Sequence, residues 1–175
     1  MVKLLKIDKN NIDVAISIEN EIFPEYNAKG NYYDSLKEGS IISFFIICKD
    51  DLYIGVTGIY AYKKDKDNAW LGFFGLKEEY RGKQYGKKAL ILSEEYAKSQ
   101  GYKFMRVFTD KFNDYAIEFY ERNGYEFEDY DSDEEVLKDE FEIVIGSKSI
   151  SEYKVDKWNN RFINLSKQTL KQENK

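Results

Sequence analysis

A short loop between an apolar strand and an amphipathic helix carries the residues best suited to chemistry. The strand is predicted over residues 70–76, the loop runs from Arg81 to Gly86, and the helix begins directly after it. Unpaired N–H groups of a first helical turn point outward, and the helix dipole favours an anion there. Basic side chains add positive charge at the same place: Arg81, Lys83, Lys87 and Lys88. The loop therefore predicts a phosphate site, with a polyphosphate cofactor as its ligand.

This loop fits neither of two familiar nucleotide-binding motifs. A P-loop has the spacing G-x-x-x-x-G-K-[ST], but Gly82 and Gly86 lie one residue too close, and Lys88 stands where Ser or Thr belongs. The dinucleotide fingerprint G-x-G-x-x-G does not occur in the chain. Neither mononucleotide hydrolysis nor dinucleotide binding is predicted.

The elements around the loop indicate a mixed chain, with an antiparallel hairpin early and a β-α-β-α-β run in the middle. The only proline, Pro24, ends the first helix, which Asn10 or Asn11 caps. A charged turn over residues 63–68 leads into the strand before the loop. Predicted strands cover residues 3–7, 43–49, 52–62, 70–76, 104–109, 125–130 and 140–145. Predicted helices cover residues 11–23, 31–38 (ended by Gly39), the segment from the loop to Gly101, 114–122 and 156–170.

Composition limits the class of protein. At 175 residues, with 42% hydrophobic and 34% charged residues, the chain is predicted to be a globular protein with one main domain over residues 1–150 and an extension over 151–175. No apolar run reaches the length of a membrane span, and a single cysteine, Cys48, allows no intrachain disulfide. These features predict a cytoplasmic protein with no membrane partner.

Charge and the missing histidine exclude further functions. A net charge of −5 argues against nucleic acid as a partner and mildly favours a cationic acceptor. The absence of histidine removes the commonest general base and the histidine-dependent zinc sites, so no metal is predicted. The acidic run over residues 129–140 lacks the glycine of a calcium loop and is interpreted as a solvated turn.

Two segments together resemble one family. The pattern Arg81-x-x-Gln84-x-Gly86 resembles the acetyl-coenzyme A loop, Q/R-x-x-G-x-G/A, of the GNAT superfamily of N-acetyltransferases. The later pattern Asn113-x-x-Ala-x-x-x-Tyr120-x-x-x-Gly-Tyr resembles that family's segment N-x-x-A-x-x-x-Y-x-x-x-G-[FY]. Both occur in the expected order, and the resemblance covers roughly residues 3–127. It implies an α+β fold with a mixed, mostly antiparallel central sheet and helices on both faces, to which periodicity adds a C-terminal helix.

Gln84 departs from the family pattern, which has its first glycine there. A glutamine at this place must either point its side chain away from the phosphates or adopt a backbone angle that costs about 1 kcal/mol or more for a residue other than glycine. The backbone N–H donors remain in either case.

The resemblance also implies a cosubstrate, acetyl-coenzyme A, and the residues that hold it. Main-chain N–H groups of the loop would bind the pyrophosphate, and Gly75 and Leu76 would pair with the pantetheine arm between strands 73–76 and 104–109. Asn113 would hydrogen-bond the pantetheine or phosphate region. The predicted cofactor-binding residues are Gly75, Leu76, Arg81, Gly82, Lys83, Gln84, Tyr85, Gly86, Lys87 and Asn113.

Tyr120 is the predicted catalytic residue, as the proton or hydrogen-bond donor to the departing thiolate; the alternative is an aromatic residue of the core. The general base is left open, because residues 70–76 lack the glutamate that many family members carry there. Glu21, Glu25, Asp110 and Glu126 are each candidates and each also fit solvated surface positions.

The predicted reaction is transfer of acetyl from acetyl-coenzyme A to a primary amine, by direct attack in a ternary complex. The acceptor, either a small molecule or a peptide or protein amine, would contact residues 21–38, with Tyr26, Tyr32 and Tyr33, and the loop at 129–139. Alternatives are a coenzyme A-binding sensor without catalysis and, against the acidic balance, a basic-loop nucleic-acid binder. The stripe of Trp158, Phe162 and Leu165 either docks on the sheet or pairs with a second copy in a homodimer.

Overall fold

The computed structural model of the protein describes residues 1–27, 29–130 and 142–158. These residues form seven strands, four α-helices and a 3-10 turn at Glu78–Tyr80. The strands are β1 (Val2–Lys6), β2 (Ile42–Lys49), β3 (Leu52–Tyr62), β4 (Asp65–Leu76), β5 (Phe104–Asp110), β6 (Glu126–Asp129) and β7 (Ile143–Ser149). The helices are α1 (Ile12–Ile22), α2 (Lys29–Ser35), α3 (Tyr85–Ser99) and α4 (Asp114–Glu121).

The strands form a mixed sheet in the order β1-β2-β3-β4-β5-β7-β6. β1 with β2, β2 with β3, β5 with β7 and β6 with β7 pair antiparallel. β4 and β5 pair in parallel, with Asn68 opposite Phe104 and Trp70 opposite Arg106. The predicted α+β class and mixed, mostly antiparallel sheet are confirmed.

Contacts divide the chain into two compact units. The first contains Met1–Ala61 and Leu71–Gln100, and the second contains Tyr62–Trp70 and the chain from Gly101 onward. β4 therefore contributes its first half to the second unit and its second half to the first. The predicted boundary at residue 150 lies within the second unit and stays a prediction.

In the first unit, helices lie on both faces of the β2–β3 hairpin. Side chains alternate between the two faces of a strand, so the neighbours Phe44 and Phe45 point in opposite directions. The ring of Tyr32 in α2 stacks on Phe44 with centroids 4.1 Å apart, and Tyr96 in α3 meets Phe45 edge-on at 4.8 Å. The predicted placement of helices on both faces is confirmed here.

Several predicted boundaries needed correction. α2 covers Lys29–Ser35 rather than residues 31–38, and Gly39, with φ +71°, turns the chain after the helix has ended. β4 begins at Asp65, inside the predicted charged turn. Asn11 precedes α1 but does not cap it with its side chain, whose Oδ1 accepts the N–H of Asp8 instead.

The second unit is centred on a buried arginine. Arg106 of β5 is 3% exposed, and its Nε donates to Asn68 Oδ1 at 2.6 Å. Its Nη1 donates to Ser147 Oγ at 2.6 Å and to the Asp156 carbonyl at 2.8 Å. A buried charge is tolerated when its donors are satisfied, and these bonds join three strands to the segment after β7.

Trp158 lies against its own chain. Its indole Nε1 donates to Asp65 Oδ2 at 2.9 Å, and its ring meets Trp70 edge-on at 5.0 Å. Residues 156–158 have no regular secondary structure, so the predicted helix does not begin at 156. The rest of that helix, with Phe162 and Leu165, lies outside the described residues, as do residues 131–140 of the predicted acidic turn.

A carboxyl group interrupts the apolar face of α1. Ile12, Ala15 and Ile18 are buried on that face, and Glu19 is buried beside them at 1% exposure.

No helix in the described ranges combines the length and apolar character needed to cross a membrane.

We expect Glu19→Gln to weaken the pH dependence of stability. Burial raises the pKa of the Glu19 carboxyl above its ordinary value of 4.5. Between the ordinary and the raised value the folded chain binds more protons than the unfolded chain, so the free energy of unfolding falls as pH rises. Urea unfolding from about pH 4 to about pH 8 should show a smaller fall in the variant than in wild type.

Glu21→Gln is the matched control, because Glu21 belongs to the same helix and its side chain is 52% exposed. That variant should change the slope less than Glu19→Gln does. An unchanged slope in Glu19→Gln would contradict a buried carboxyl at residue 19.

Candidate active site

The loop between β4 and α3 is anchored by apolar residues on both sides. Leu76 at the end of β4 and Ala89 in α3 belong to one buried cluster, against which Tyr80 and Tyr85 pack. The first backbone bond of α3 runs from the Lys88 N–H to the Gln84 carbonyl at 3.2 Å. The N–H groups of the first turn, ahead of that bond, have no intrahelical acceptor.

Two residues of the loop have left-handed backbone. Gly82 has φ +70° and Gln84 has φ +62° with ψ +7°. Of the two outcomes that the sequence left for Gln84, the structure shows the strained backbone, which costs about 1 kcal/mol or more relative to glycine. A β-carbon at Gly82 would meet nothing within 4 Å, so only its φ calls for glycine there.

The charges at the start of α3 oppose the helix dipole. The first turn contains no acidic residue, and Lys87 and Lys88 are exposed there. Cations at a helix N-terminus are unfavourable by about 0.3–1 kcal/mol each, whereas an anion is favourable. A bound anion would offset this, and phosphate groups suit the N–H groups and the lysines alike.

The other two basic side chains of the loop are engaged with the backbone. Arg81 Nε donates to the Leu76 carbonyl at 2.9 Å, and Lys83 Nζ donates to the Glu79 carbonyl at 2.8 Å. Both side chains are nevertheless exposed. They hold the loop against the 3-10 turn and the end of β4, and the donors of Arg81 other than Nε are not used in that bond.

Packing alone requires glycine at residue 75. A β-carbon there would lie 2.6 Å from Ile22 Cγ2 and 2.8 Å from Phe23 Cζ, at the end of α1. A β-carbon at Gly55 in β3 would lie 2.2 Å from the Gly75 carbonyl oxygen. Backbones and the end of α1 therefore approach closely at Gly75. Its predicted pairing with a cofactor, and that of Leu76, stays a prediction.

In the second unit, Asn113 caps α4. Its Oδ1 accepts the Ala116 N–H at 3.3 Å, and its Nδ2 donates to Thr109 Oγ1 at 3.2 Å. This explains asparagine at the start of the helix through the fold itself. One amide hydrogen and one oxygen lone pair are not used in these two bonds, so the predicted contact with a cofactor stays a prediction.

Tyr120 lies among aromatic rings on α4. It is 6% exposed, and its ring centroid lies 5.2 Å from Phe119, 5.3 Å from Tyr125 and 6.5 Å from Phe127. Burial raises the pKa of the phenol above its ordinary value of 10.0, so the hydroxyl is protonated at neutral pH. A proton donor needs that state, and the same packing also suits a core aromatic.

The carboxylates proposed from sequence as the base lie at the surface. Glu25, Asp110 and Glu126 are exposed, and Glu21 pairs with Lys77 Nζ at 2.8 Å. Two carboxyl groups are buried in the first unit, Glu94 at 8% and Glu19 at 1% exposure, and Glu19 was not among the bases considered from sequence. Its signal was periodicity, because residues 12, 15, 18, 19 and 22 form one helical face.

The three tyrosines assigned to the acceptor segment lie in different environments. Tyr32 is completely buried against Phe44, whereas Tyr26 is 51% and Tyr33 45% exposed.

In the described ranges no group of three or more acidic or cysteine side chains could hold a metal ion.

Comparison with known proteins identifies the family. The sequence model of the Acetyltransferase (GNAT) family matches residues 12–125. A spermidine N(1)-acetyltransferase of Thermoplasma acidophilum is 31% identical over 67 residues, which are 38% of this chain and 42% of that protein. The chain thus matches less than half the length of this curated relative.

Solved structures share the fold. The PaiA N-acetyltransferase of Thermoplasma acidophilum in complex with coenzyme A has a TM-score of 0.66 at 20% identity, over 85% of this chain and 99% of that one. The ribosomal-protein-S18-alanine N-acetyltransferase of Escherichia coli has a TM-score of 0.68 at 14% identity, over 91% of this chain and 100% of that one. The family match covers well over half of the chain and includes both the loop and the α4 segment, so the protein belongs to the GNAT family of acetyltransferases.

Proposed function

We propose that the protein is an N-acetyltransferase that moves an acetyl group from acetyl-coenzyme A to a primary amine by direct attack in a ternary complex. The observation that carries the proposal is the start of α3, where unpaired N–H groups and exposed Lys87 and Lys88 follow a left-handed loop. Membership of the family supports the reaction type, and the PaiA complex supports coenzyme A as the ligand.

The cofactor-binding residues follow from this ligand. Main-chain N–H groups from Gly82 to Lys87 bind the pyrophosphate, whereas the Arg81 N–H, which the sequence prediction included, donates to the Glu78 carbonyl at 3.1 Å. Main-chain groups of Gly75 and Leu76 pair with the pantetheine arm. Asn113 supplies a further hydrogen bond. The parallel register of β4 with β5 ends at Trp70 and Arg106, so Gly75 lies beyond the residues that β4 pairs with β5, which supports a role for its main-chain groups on that edge of β4.

The chemistry is nucleophilic attack by a neutral amine. The amine nitrogen attacks the thioester carbonyl carbon, the carbon–sulfur bond breaks, and coenzyme A departs as a thiolate to which the Tyr120 hydroxyl donates a proton. The nitrogen loses one proton as the amide forms, and that proton returns through water to the Tyr120 oxygen, which restores the phenol. Backbone donors polarise the carbonyl, and holding both substrates together supplies much of the rate enhancement.

A covalent acetyl-enzyme through cysteine is disfavoured by the one cysteine present. Cys48 is 1% exposed in β2, and burial raises the pKa of its thiol, which keeps it from forming the nucleophilic thiolate. The chain contains no histidine to activate it. Transfer within a ternary complex is the simpler route.

An amine acceptor with several ammonium groups is the class we favour. The match to a spermidine N(1)-acetyltransferase motivates it, and the net charge of −5 suits a cationic acceptor. The alternative acceptors are an amino acid, an aminoglycoside and a protein N-terminus. A screen of these amines with acetyl-coenzyme A, measured by the release of free thiol, would identify the acceptor.

A coenzyme A sensor without catalysis is the second candidate function. The strained Gln84 in the phosphate loop and the lack of a glutamate in residues 70–76 favour it. Stabilisation by acetyl-coenzyme A without turnover on any amine would establish this second function instead of the first.

Gly86→Glu should abolish thermal stabilisation by acetyl-coenzyme A. The new carboxylate would lie among the phosphates and repel them, while an acidic residue in the first turn of α3 favours the helix itself. The variant should therefore fold at least as well as wild type and yet show no shift in Tm with the cofactor.

Gly86→Gln separates charge from bulk, because it adds nearly the same volume without the charge. It should retain more of the cofactor-induced shift than Gly86→Glu. A wild-type shift in Gly86→Glu would count against a phosphate site at this loop.

Tyr120→Phe should lower kcat while acetyl-coenzyme A still binds. Loss of a positioned proton donor reduces turnover by about 10²-fold or more, whereas the ring and its packing remain. Tyr125→Phe is the matched control, because that ring is also buried and lies 5.3 Å from Tyr120. Undiminished turnover in Tyr120→Phe would remove the assigned role.

Gln84→Gly should raise stability and preserve cofactor binding. Glycine relieves the strain of the left-handed backbone, a gain of up to about 1 kcal/mol after its own entropic cost. Gln100→Gly is the control, because Gln100 has φ −86° and has no such strain to relieve. A gain at both positions, or at neither, would be inconsistent with strain specific to residue 84.

A further inference from the structure

A carboxyl group and a phenol are buried together inside the first unit. Glu19 of α1 is 1% exposed and Tyr32 of α2 is completely buried. Burial above all, and then the Glu19 charge and a Glu19–Tyr32 contact, raise the pKa of the Tyr32 phenol, so the two side chains face each other. That contact falls outside good hydrogen-bond geometry, and neither carboxyl oxygen nor the hydroxyl has another partner among the described residues.

Such a pair lowers stability. Burying a carboxyl or hydroxyl without a hydrogen bond costs about 1–3 kcal/mol each, and more when the carboxyl is ionised. A methionine or leucine at residue 19 would continue the apolar face of α1 formed by Ile12, Ala15 and Ile18 without that cost. Buried polar groups without partners are few in native proteins, and each one calls for an explanation such as a functional role or a bound ligand, ion or water.

A chain of aromatic rings leads away from the Tyr32 phenol. Tyr32 stacks on Phe44 with centroids 4.1 Å apart, and Phe73 of β4 lies 6.1 Å from Phe44 and 6.5 Å from Phe23. The faces of aromatic rings attract ammonium groups, and they do so more strongly when water is excluded. Phe23 and Phe73 are half-buried, so this aromatic wall extends to solvent.

Phe73 is itself strained. Its φ of +49° is left-handed in the middle of a strand. An aromatic residue in that conformation costs about 1–3 kcal/mol, and such strain clusters at ligand-binding and catalytic sites. The ring is therefore held at this place against a local cost.

We propose that Glu19, Tyr32, Phe44 and Phe73 bind an ammonium group of the acceptor, an inference that rests on the proposed N-acetyl transfer. An alkylammonium has three N–H donors, which can satisfy the Glu19 carboxylate and the Tyr32 hydroxyl oxygen while its charge faces the rings. The ligand class is a linear aliphatic diamine or polyamine.

The ammonium bound there is the one that does not react. A carboxylate in contact with an ammonium stabilises its charged form, whereas the attacking nitrogen must first lose a proton. The acceptor therefore needs two amino groups, one bound as a cation by Glu19 and one neutral at the thioester. A monoamine of equal chain length lacks the first interaction.

The test compares 1,4-diaminobutane with butylamine as acceptors, by release of free thiol from acetyl-coenzyme A. Wild type should favour the diamine in kcat/KM. Glu19→Gln should raise KM for the diamine at least about tenfold, the size expected for a lost charge-assisted hydrogen bond, while KM for butylamine and for acetyl-coenzyme A stays within about twofold. Tyr32→Phe should raise the diamine KM by less.

The Tm of Glu19 variants shows whether Glu19 serves to bind the acceptor or to stabilise the fold. Glu19→Met should raise Tm, because it removes a buried carboxyl, and should abolish the preference for the diamine. A lower Tm in Glu19→Met together with an unchanged preference in Glu19→Gln would mean that Glu19 serves the fold, and would overturn the inference. Asn20→Ala, at the exposed neighbouring position of the same helix, should leave the preference for the diamine as in wild type.

Calorimetric titration of 1,4-diaminobutane into the coenzyme A complex distinguishes failure of this inference from failure of the proposed function. Binding that is lost in Glu19→Gln supports the inference even where no amine is acetylated, and that second outcome would count against the reaction alone. Acetylation of amines with no diamine binding at Glu19 would overturn the inference and leave the reaction standing.

Discussion

The proposed activity depends on the binding of an anion by the N-terminus of α3. A helix N-terminus with no acidic residue and with lysines at residues 87 and 88 is electrostatically incomplete, because the dipole and the side chains are both positive. An anion completes it. The surrounding structure serves this turn: Leu76 and Ala89 anchor the loop on both sides, and left-handed Gly82 and Gln84 lead the chain into the helix.

Two sets of buried polar groups differ in how far hydrogen bonds satisfy them. In the second unit, Arg106 donates to Asn68, Ser147 and the Asp156 carbonyl, so its burial is balanced by hydrogen bonds and is explained by the fold. In the first unit, Glu19 and Tyr32 are as deeply buried and have no partner in hydrogen-bond geometry within the described ranges. A buried polar group that serves only the fold is expected to have its hydrogen bonds satisfied by the protein. The contrast is the reason for assigning a ligand to Glu19 and none to Arg106.

Much of this could be predicted from sequence because strong local signals agreed with the fold. The β2–β3 hairpin, the loop between β4 and α3, and α3 itself each combine a clear period with turn residues or glycine, and the predicted helices and strands there match the structure closely. The bounds of α2 were predicted wrongly because the helix has only seven residues, three of which are tyrosine or glycine. Its apolar residues therefore show only a weak helical periodicity. Burial of Glu19 depends on how α1 and α2 pack together. The periodicity of α1 places residue 19 on the buried face, but a charged residue is normally expected at the surface. The left-handed φ of Phe73 has no sequence signal at all, because aromatic residues rarely adopt it.

The most direct measurement compares the affinities of acetyl-coenzyme A and S-acetylpantetheine, which carries the same thioester arm without the phosphates. If main-chain N–H groups near Gln84 bind the pyrophosphate, isothermal titration should show S-acetylpantetheine binding weaker by about a hundredfold or more, since several charge-assisted hydrogen bonds are lost. The affinity for acetyl-coenzyme A should also fall with added salt, and that for the fragment should not. Equal affinities for the two ligands would contradict the account.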